Sequence, residues 1–204
     1  MTDQMFSKGG AMPTQLPAFD RRLSDGWLLT PLDGHPDAIA ACGWSEAPEP
    51  PAIDDATEQL GWDGAAWTIE PLSAEEITAR AETRRVAARA AVDARAEQAF
   101  FAGFAPANPA FAGQRLQVRG VEDRTNWLTS QASYAAAVDK GYGDVVDASF
   151  RTAANTTVTV SYADGLDTLL GMAAWGRAIL ARSWAIKDAI AVDEPYDLDT
   201  GWPA

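Results

Sequence analysis

The side chains able to do chemistry are few here, and their spacing suits no common reaction. His35 and Cys42 are the single histidine and single cysteine among 204 residues. One imidazole excludes the His-rich zinc patterns, and one thiol excludes an intrachain disulfide. Gly34-His35-Pro36 predicts a turn, and Cys42, preceded by Ala40 and Ala41, predicts a small core residue. Acids stand side by side at Asp54-Asp55, Glu75-Glu76, Glu122-Asp123 and Asp193-Glu194. A glycosidase-like pair needs two carboxyls facing across a cleft, whereas adjacent acids on helices and loops point apart. Asp197-Leu198-Asp199-Thr200-Gly201 has the shape of half a calcium loop without the third acid or the closing Glu. The sequence contains no Gly-rich phosphate loop, G-x-S-x-G elbow, Cys-x-x-Cys or His-Glu-x-x-His. The expectation is a chain without catalytic residues, metal or cofactor, whose work is binding.

Charge narrows the partners. The formal net charge is −13, from 29 acids against 16 Lys and Arg. Residues 1–72 hold −9 of it, residues 73–102 balance five acids with five bases, and the remainder carries −4. An acidic surface repels phosphate backbones and anionic bilayers, so nucleic-acid binding and membrane attachment are disfavoured. No run reaches the roughly 18 apolar residues of a membrane span. The opening Met-Thr-Asp-Gln-Met-Phe-Ser-Lys lacks the pattern of a signal peptide, which makes synthesis in the cytosol the expectation. The expected partners are proteins or further copies of the chain.

The elements that must position any binding surface are organised around residues 73–101, which contain neither Gly nor Pro. Ser73 and Glu76 predict a capping box, and Gly103 and Pro106 a stop. The resulting helix is expected to be about 43 Å long, too long to lie within one small domain, and so to connect two parts. Ile77, Ala81, Ala88, Val92 and Ala99 predict its apolar stripe; Val86, Ala90 and Phe100 lie off it, and Arg80, Arg84, Arg85, Arg89 and Arg95 read as solvated.

Ahead of the helix, residues 1–15 read as a flexible arm and residues 16–72 as a small β-rich attachment region. Within it fall brief strands around Phe19 and Gly26-Trp27-Leu28-Leu29, and a helical turn or two over residues 37–42. The prolines of residues 47–51 form an extended spacer. A hairpin spans residues 58–70, with Trp62 and Trp67 meeting across an Asp63-Gly64 turn of two residues, or a loop of three or four. Behind the helix, residues 103–192 read as a compact domain. Its expected parts are a strand over residues 113–118, a helix capped by Asp123 or Thr125 and ending near Lys140, and a hairpin with arms at 148–152 and 156–161. A last helix capped by Asp164 follows, with Leu166, Leu169, Leu170, Ala173, Leu180 and Trp184 on its core face and Arg177 and Arg182 toward water. Residues 193–204 read as an irregular tail. The fold class is therefore α+β: a β-rich N-terminal region, a long connecting helix, and a C-terminal domain of short antiparallel strands with two helices. Large aromatics dominate interface energies, so Trp27, Trp62 and Trp67 are the candidate protein contacts at one end, and Tyr196 and Trp202 at the other.

The order of elements from Glu97 onward, with Asn126-Trp127-Leu128 on one helix and Ala163-Asp164-Gly165-Leu166 opening another, resembles a C-terminal domain of unknown function found in tailed-phage tail proteins. Arg84, Arg85 and Arg89 sit where that family has an Arg-rich leading helix. Gly61-Trp62-Asp63-Gly64 with Trp67 is similar to the GWDGxxW hairpin of tail-fibre and fibre-assembly proteins. The resemblance covers residues 58–192. It implies a structural, non-catalytic phage tail component at the tail tip, baseplate or fibre attachment, bound to other tail proteins or its own copies and located in the virion. Alternatives are a fibre-assembly chaperone absent from the particle and, from another class, an enzyme acting on cell-envelope glycan.

Overall fold

A computed structural model of the chain describes residues 4–21, 29–32, 35–118 and 120–203. Its contacts divide the protein into two units, Met1–Thr83 and Arg84–Ala204, and the division falls inside one helix. The class is α+β.

In the first unit, strand β1 (Met5–Lys8) is the middle of an antiparallel sheet between β2 (Thr14–Gln15) and β5 (Trp44–Glu46). Within the arm expected to be flexible, Met5–Lys8 and Thr14–Gln15 are therefore paired strands. Gly9 and Gly10, both at positive φ, turn the chain back after β1, and the buried Ser7 hydroxyl donates to the Ala11 carbonyl at 2.7 Å. Such pairing is invisible to a reading that weighs only local polarity, because both of β1's partners are set by later residues. Strands β3 (Phe19–Arg21) and β4 (Leu29–Pro31) form a separate pair. Helix α1 (Pro36–Ala41) starts on a proline, whose missing N–H costs nothing there, and buries Ala38 beside Cys42 and Leu32. Cys42 is a core residue, fully buried.

The hairpin forms as β6 (Glu58–Trp62) and β7 (Trp67–Pro71), with Trp62 opposite Trp67 and Leu60 opposite Ile69. Its connection is the four-residue one. Asp63 Oδ1 accepts the N–H groups of Ala65 and Ala66 at 2.9 and 2.7 Å, and Gly64 takes the positive φ.

Helix α2 (Ala74–Ala102) is unbroken. The box at its start closes both ways: Glu76 N–H donates to the Ser73 hydroxyl at 3.3 Å, and Ser73 N–H to the Glu76 carboxylate at 2.9 Å. In the first unit Arg80 donates to the carbonyls of Asp55 and Glu58. In the second, Val92, Ala96 and Ala99 are buried and Phe100 packs against the core. The buried stripe thus differs from the expected one by gaining Ala96, while Ile77, Ala81 and Ala88, like Phe100, are only half-buried.

The second unit is built on helix α4 (Tyr162–Ala191), helix α3 (Val121–Asp139) and the hairpin β8 (Val146–Arg151) with β9 (Thr157–Ser161). Phe150 is its centre: the rings of Phe111, Trp127 and Tyr134 lie 5.3, 5.6 and 5.9 Å from it, centroid to centroid. Residues 113–118, expected as a strand, are not one. Leu116 makes single bridges to Phe104 and Thr152 and is fully buried, so its alternating apolar neighbours serve a crossing loop.

Two caps lie elsewhere than expected. Gly120, not Asp123 or Thr125, occupies the N-cap of α3. Ser161 caps α4, its hydroxyl accepting from Asp164 N–H at 3.1 Å and donating to the Asp164 carboxylate at 2.7 Å.

The core face of α4 is also rotated from the expected one. Gly165, Thr168, Leu169, Met172, Trp175, Ile179, Ser183, Ile186 and Ile190 are buried, while Leu170, Leu180 and Trp184 are exposed. The cause is Gly165, where an added Cβ would come within 2.6 Å of Ala148 Cβ and 3.1 Å of the Tyr134 ring.

Helix α4 ends in a left-handed cap. Asp193 has φ 56°, Glu194 N–H donates to the Ala189 carbonyl at 2.9 Å, and Arg85 pairs with the Asp193 carboxylate. The following residues are irregular but anchored. Trp202 packs on Val92, Ile186 and Ile190, and Arg182, expected in water, is half-buried and donates to the Asp197 carbonyl at 2.7 Å.

Two measurements test these local accounts. Gly165→Ala gains about 1 kcal/mol of helix propensity but overpacks against Ala148, so urea unfolding should show a net loss of about 1 kcal/mol or more. Gly176→Ala, whose Cβ would meet only the Phe100 ring at an ordinary 3.6 Å, should be neutral or stabilising; a stabilising Gly165→Ala refutes the close approach. Bonds from the Ser73 hydroxyl and then its backbone hold the Glu76 carboxyl below the usual glutamate range. A folded pKa below the unfolded one means the box contributes above the unfolded pKa and is lost as pH falls through the folded value. In an NMR titration Ser73→Ala should move Glu76 upward, and an unmoved Glu76 argues against the box.

Candidate protein-docking groove

Each unit presents an aromatic surface of its own. In the first, Trp62 and Trp67 meet edge to face at 5.3 Å. Trp67 Nε1 donates to the Pro48 carbonyl at 2.7 Å, which ties the proline-rich segment to the hairpin. Trp62 Nε1 is buried with no acceptor among the described residues. Both indoles are half-buried, so part of each remains for a contact. Trp27 lies outside the described residues.

In the second unit the side chains gather between α3 and α4. Trp127, Leu128 and Gln131 of α3, with Leu169, Met172, Ala173, Gly176 and Leu180 of α4 and Phe100 of α2, line an open groove of 340 Å³. The α3 positions recur at three- and four-residue spacing, which puts them on one face of the helix. Trp127 is fixed by its Nε1–H, which donates to the Gln117 carbonyl at 2.8 Å, and by stacking on Phe150 at 25°. The wall is therefore anchored in the core, while Leu128 is 67% exposed, Leu180 41% and Trp184, one turn beyond, 60%. Arg124 and Arg177 also line the groove, one from each helix. The Arg124 guanidinium lies 5.1 Å from the centre of the Phe100 ring. A wall this apolar carrying so few polar groups is suited to binding by desolvation.

The candidate contacts of the C-terminal end separate. Tyr196 is exposed. Trp202, the other candidate contact, is half-buried on its own unit: its Nε1 donates to the Leu198 carbonyl at 2.7 Å and Arg95 lies 5.6 Å over its ring. Arg124, Leu128, Arg177 and Leu180 were not singled out as contacts from the sequence. The signal was present in α4, whose leucines and tryptophans fall on more than one face, more than a single core contact can cover.

The carboxylates are scattered and locally engaged. Asp54 accepts from Ala56 N–H and the Thr57 hydroxyl, Glu76 caps α2, Asp193 pairs with Arg85, and Asp197 accepts from Asp199 and Thr200 N–H. Asp164 and Asp167 line a separate depression of 490 Å³ with Asn108 and Thr168, where Asp164 is held by Ser161. Among the described residues no three His, Cys, Asp or Glu side chains are placed to share a metal ion, and no helix is long and apolar enough to cross a membrane.

If the exposed leucines belong to a docking surface rather than to the core, stability separates them from their neighbours. Leu169→Ala, at a buried position, should cost about 2–5 kcal/mol in chemical denaturation. Leu128→Glu and Leu180→Glu should stay within about 0.5 kcal/mol of the parent; a loss like that of Leu169→Ala would place them in the core.

The model of one family, a domain of unknown function (DUF4376), matches residues 83–200, a span that includes every residue of the groove and excludes the tryptophan hairpin. Neither a curated protein nor a solved structure matches the chain. With more than half of its length matched, the chain belongs to the DUF4376 family.

Proposed function

We propose that the protein is a structural, protein-binding component of a bacteriophage tail, at the tail tip, baseplate or tail-fibre attachment, and that it performs no catalysis. The observation that carries the binding role is the α3–α4 groove. A domain whose own core is already closed around Phe150 leaves Leu128, Leu180 and Trp184 uncovered beside it, and a concentration of large apolar side chains at one surface marks a contact with another molecule. The half-buried Trp62–Trp67 pair offers a second contact from the other unit.

Placement in a tail rests on the resemblance of residues 58–192 to tail-protein domains and of Gly61-Trp62-Asp63-Gly64 with Trp67 to fibre-associated hairpins. The partners are then other tail proteins or further copies of the chain, and the location is the virion.

Mass spectrometry of purified tailed particles from a strain that encodes the chain tests the assignment. The chain should be present in a fixed ratio to the other tail proteins. Its absence from particles that still need it for fibre attachment would replace the virion role by that of an assembly chaperone.

A further inference from the structure

Beside the groove, helix α4 turns a stripe of its own outward. Leu170, Ala174, Arg177, Ala181, Trp184 and Asp188 are all exposed, on the side of the helix away from the buried Met172, Trp175, Ile179 and Ile186. Their spacing alternates between four and three residues, the 3.5-residue period at which one helix keeps contact with another along its length. Any helix has such a stripe, and what matters is what stands on it. Here Leu170 is 47% and Trp184 60% exposed, and among the small and apolar residues stand one base and one acid. A net charge of −13 repels a second copy of the chain, so a self-contact has to lie where charge cancels. On this stripe it does.

The positions of the two charges select a register. Laid parallel, two copies set Arg177 against Arg177 and Asp188 against Asp188. Laid antiparallel about a two-fold axis at Ile179, they set Leu170 against Asp188 and Arg177 against Ala181, which leaves each charge on an apolar partner. An axis half a heptad further along, level with Arg182 and Ser183, sets Arg177 of each copy against Asp188 of the other, twice by symmetry. It also sets Trp184 against Ala181, so that the large ring fills the space a small residue leaves, and Ala174 against Ala191. Residues 174–191 then overlap over about 26 Å of helix. Of these three arrangements only the last matches acid with base and large with small. We propose that the exposed stripe of α4 is an interface between two copies of this chain, packed antiparallel with Arg177 of each paired to Asp188 of the other. This rests on the reading of the chain as a protein-binding component, and it names the partner and the register.

The test is charge exchange on the full chain, read by sedimentation equilibrium. The parent should dimerise at micromolar concentrations. Arg177→Asp opposes acid to acid and Asp188→Arg opposes base to base, so each alone should weaken dimerisation about tenfold or more. Mixed together, the two variants should form a heterodimer about as tight as the parent dimer, because each supplies the sign that the other lacks. The double variant Arg177→Asp/Asp188→Arg should dimerise as the parent does, and Trp184→Glu should be a monomer. All three positions are exposed, so thermal midpoints of the monomers should be unchanged, and rescue by mixing separates lost pairing from lost folding. The proposal is overturned by a parent that stays monomeric, by single variants that dimerise as tightly as the parent, by a mixture that fails to pair, or by a Trp184→Glu variant that remains a dimer. Particle composition distinguishes this from the tail assignment: a dimer of this register formed by a chain absent from virions would retain the interface and discard the tail, and a monomeric chain present in virions would do the opposite.

Discussion

The close approach of α4 to β8 at Gly165 is the constraint on which the second unit depends. With no Cβ at that position the helix backbone settles against Ala148 and Tyr134, and contact that close fixes the rotation of α4 about its own axis. Successive residues of a helix are spaced at 3.6 per turn, so one fixed contact determines which later residues turn inward. Leu169, Met172, Trp175 and Ile179 follow Gly165 into the core, and Leu170, Leu180 and Trp184 are left outside. The groove is thus a consequence of a glycine more than a turn away from its nearest wall residue on the helix.

The opposite wall depends on the aromatic cluster. Trp127 reaches from α3 to stack on Phe150, which is itself held between Phe111 and Tyr134. Aromatic pairs of this kind contribute about 0.5–1.5 kcal/mol each beyond their buried area, and the Trp127 N–H bond to Gln117 removes the freedom that would remain. Leu128, the next residue, cannot turn inward without unstacking Trp127. The same logic holds at the far end of α4, where Trp202 covers Ile186 and Ile190. There a tryptophan of the irregular terminal segment does what a further secondary-structure element would do in a larger domain.

Much of this was legible in the sequence because it is set locally. The box of Ser73 and Glu76, the opposed Trp62 and Trp67, and the β8–β9 hairpin each depend on residues a few positions apart. Misreadings arose where a distant residue decides. Met5–Lys8 has no pattern of its own and becomes a central strand because Thr14–Gln15 and Trp44–Glu46 pair with it. Residues 113–118 have the alternation of a strand and lack a continuous neighbour to pair with. In α4 the sequence offers two apolar arcs, and the leucines make the outer one look like the core. Only the contact at Gly165 selects the other, since a glycine in a helix reads from sequence as a cost in propensity and not as a point of packing. For the groove, the leucines were visible from the start, but their exposure, and the meeting of α3 and α4 side chains along one wall, depend on contacts between distant residues.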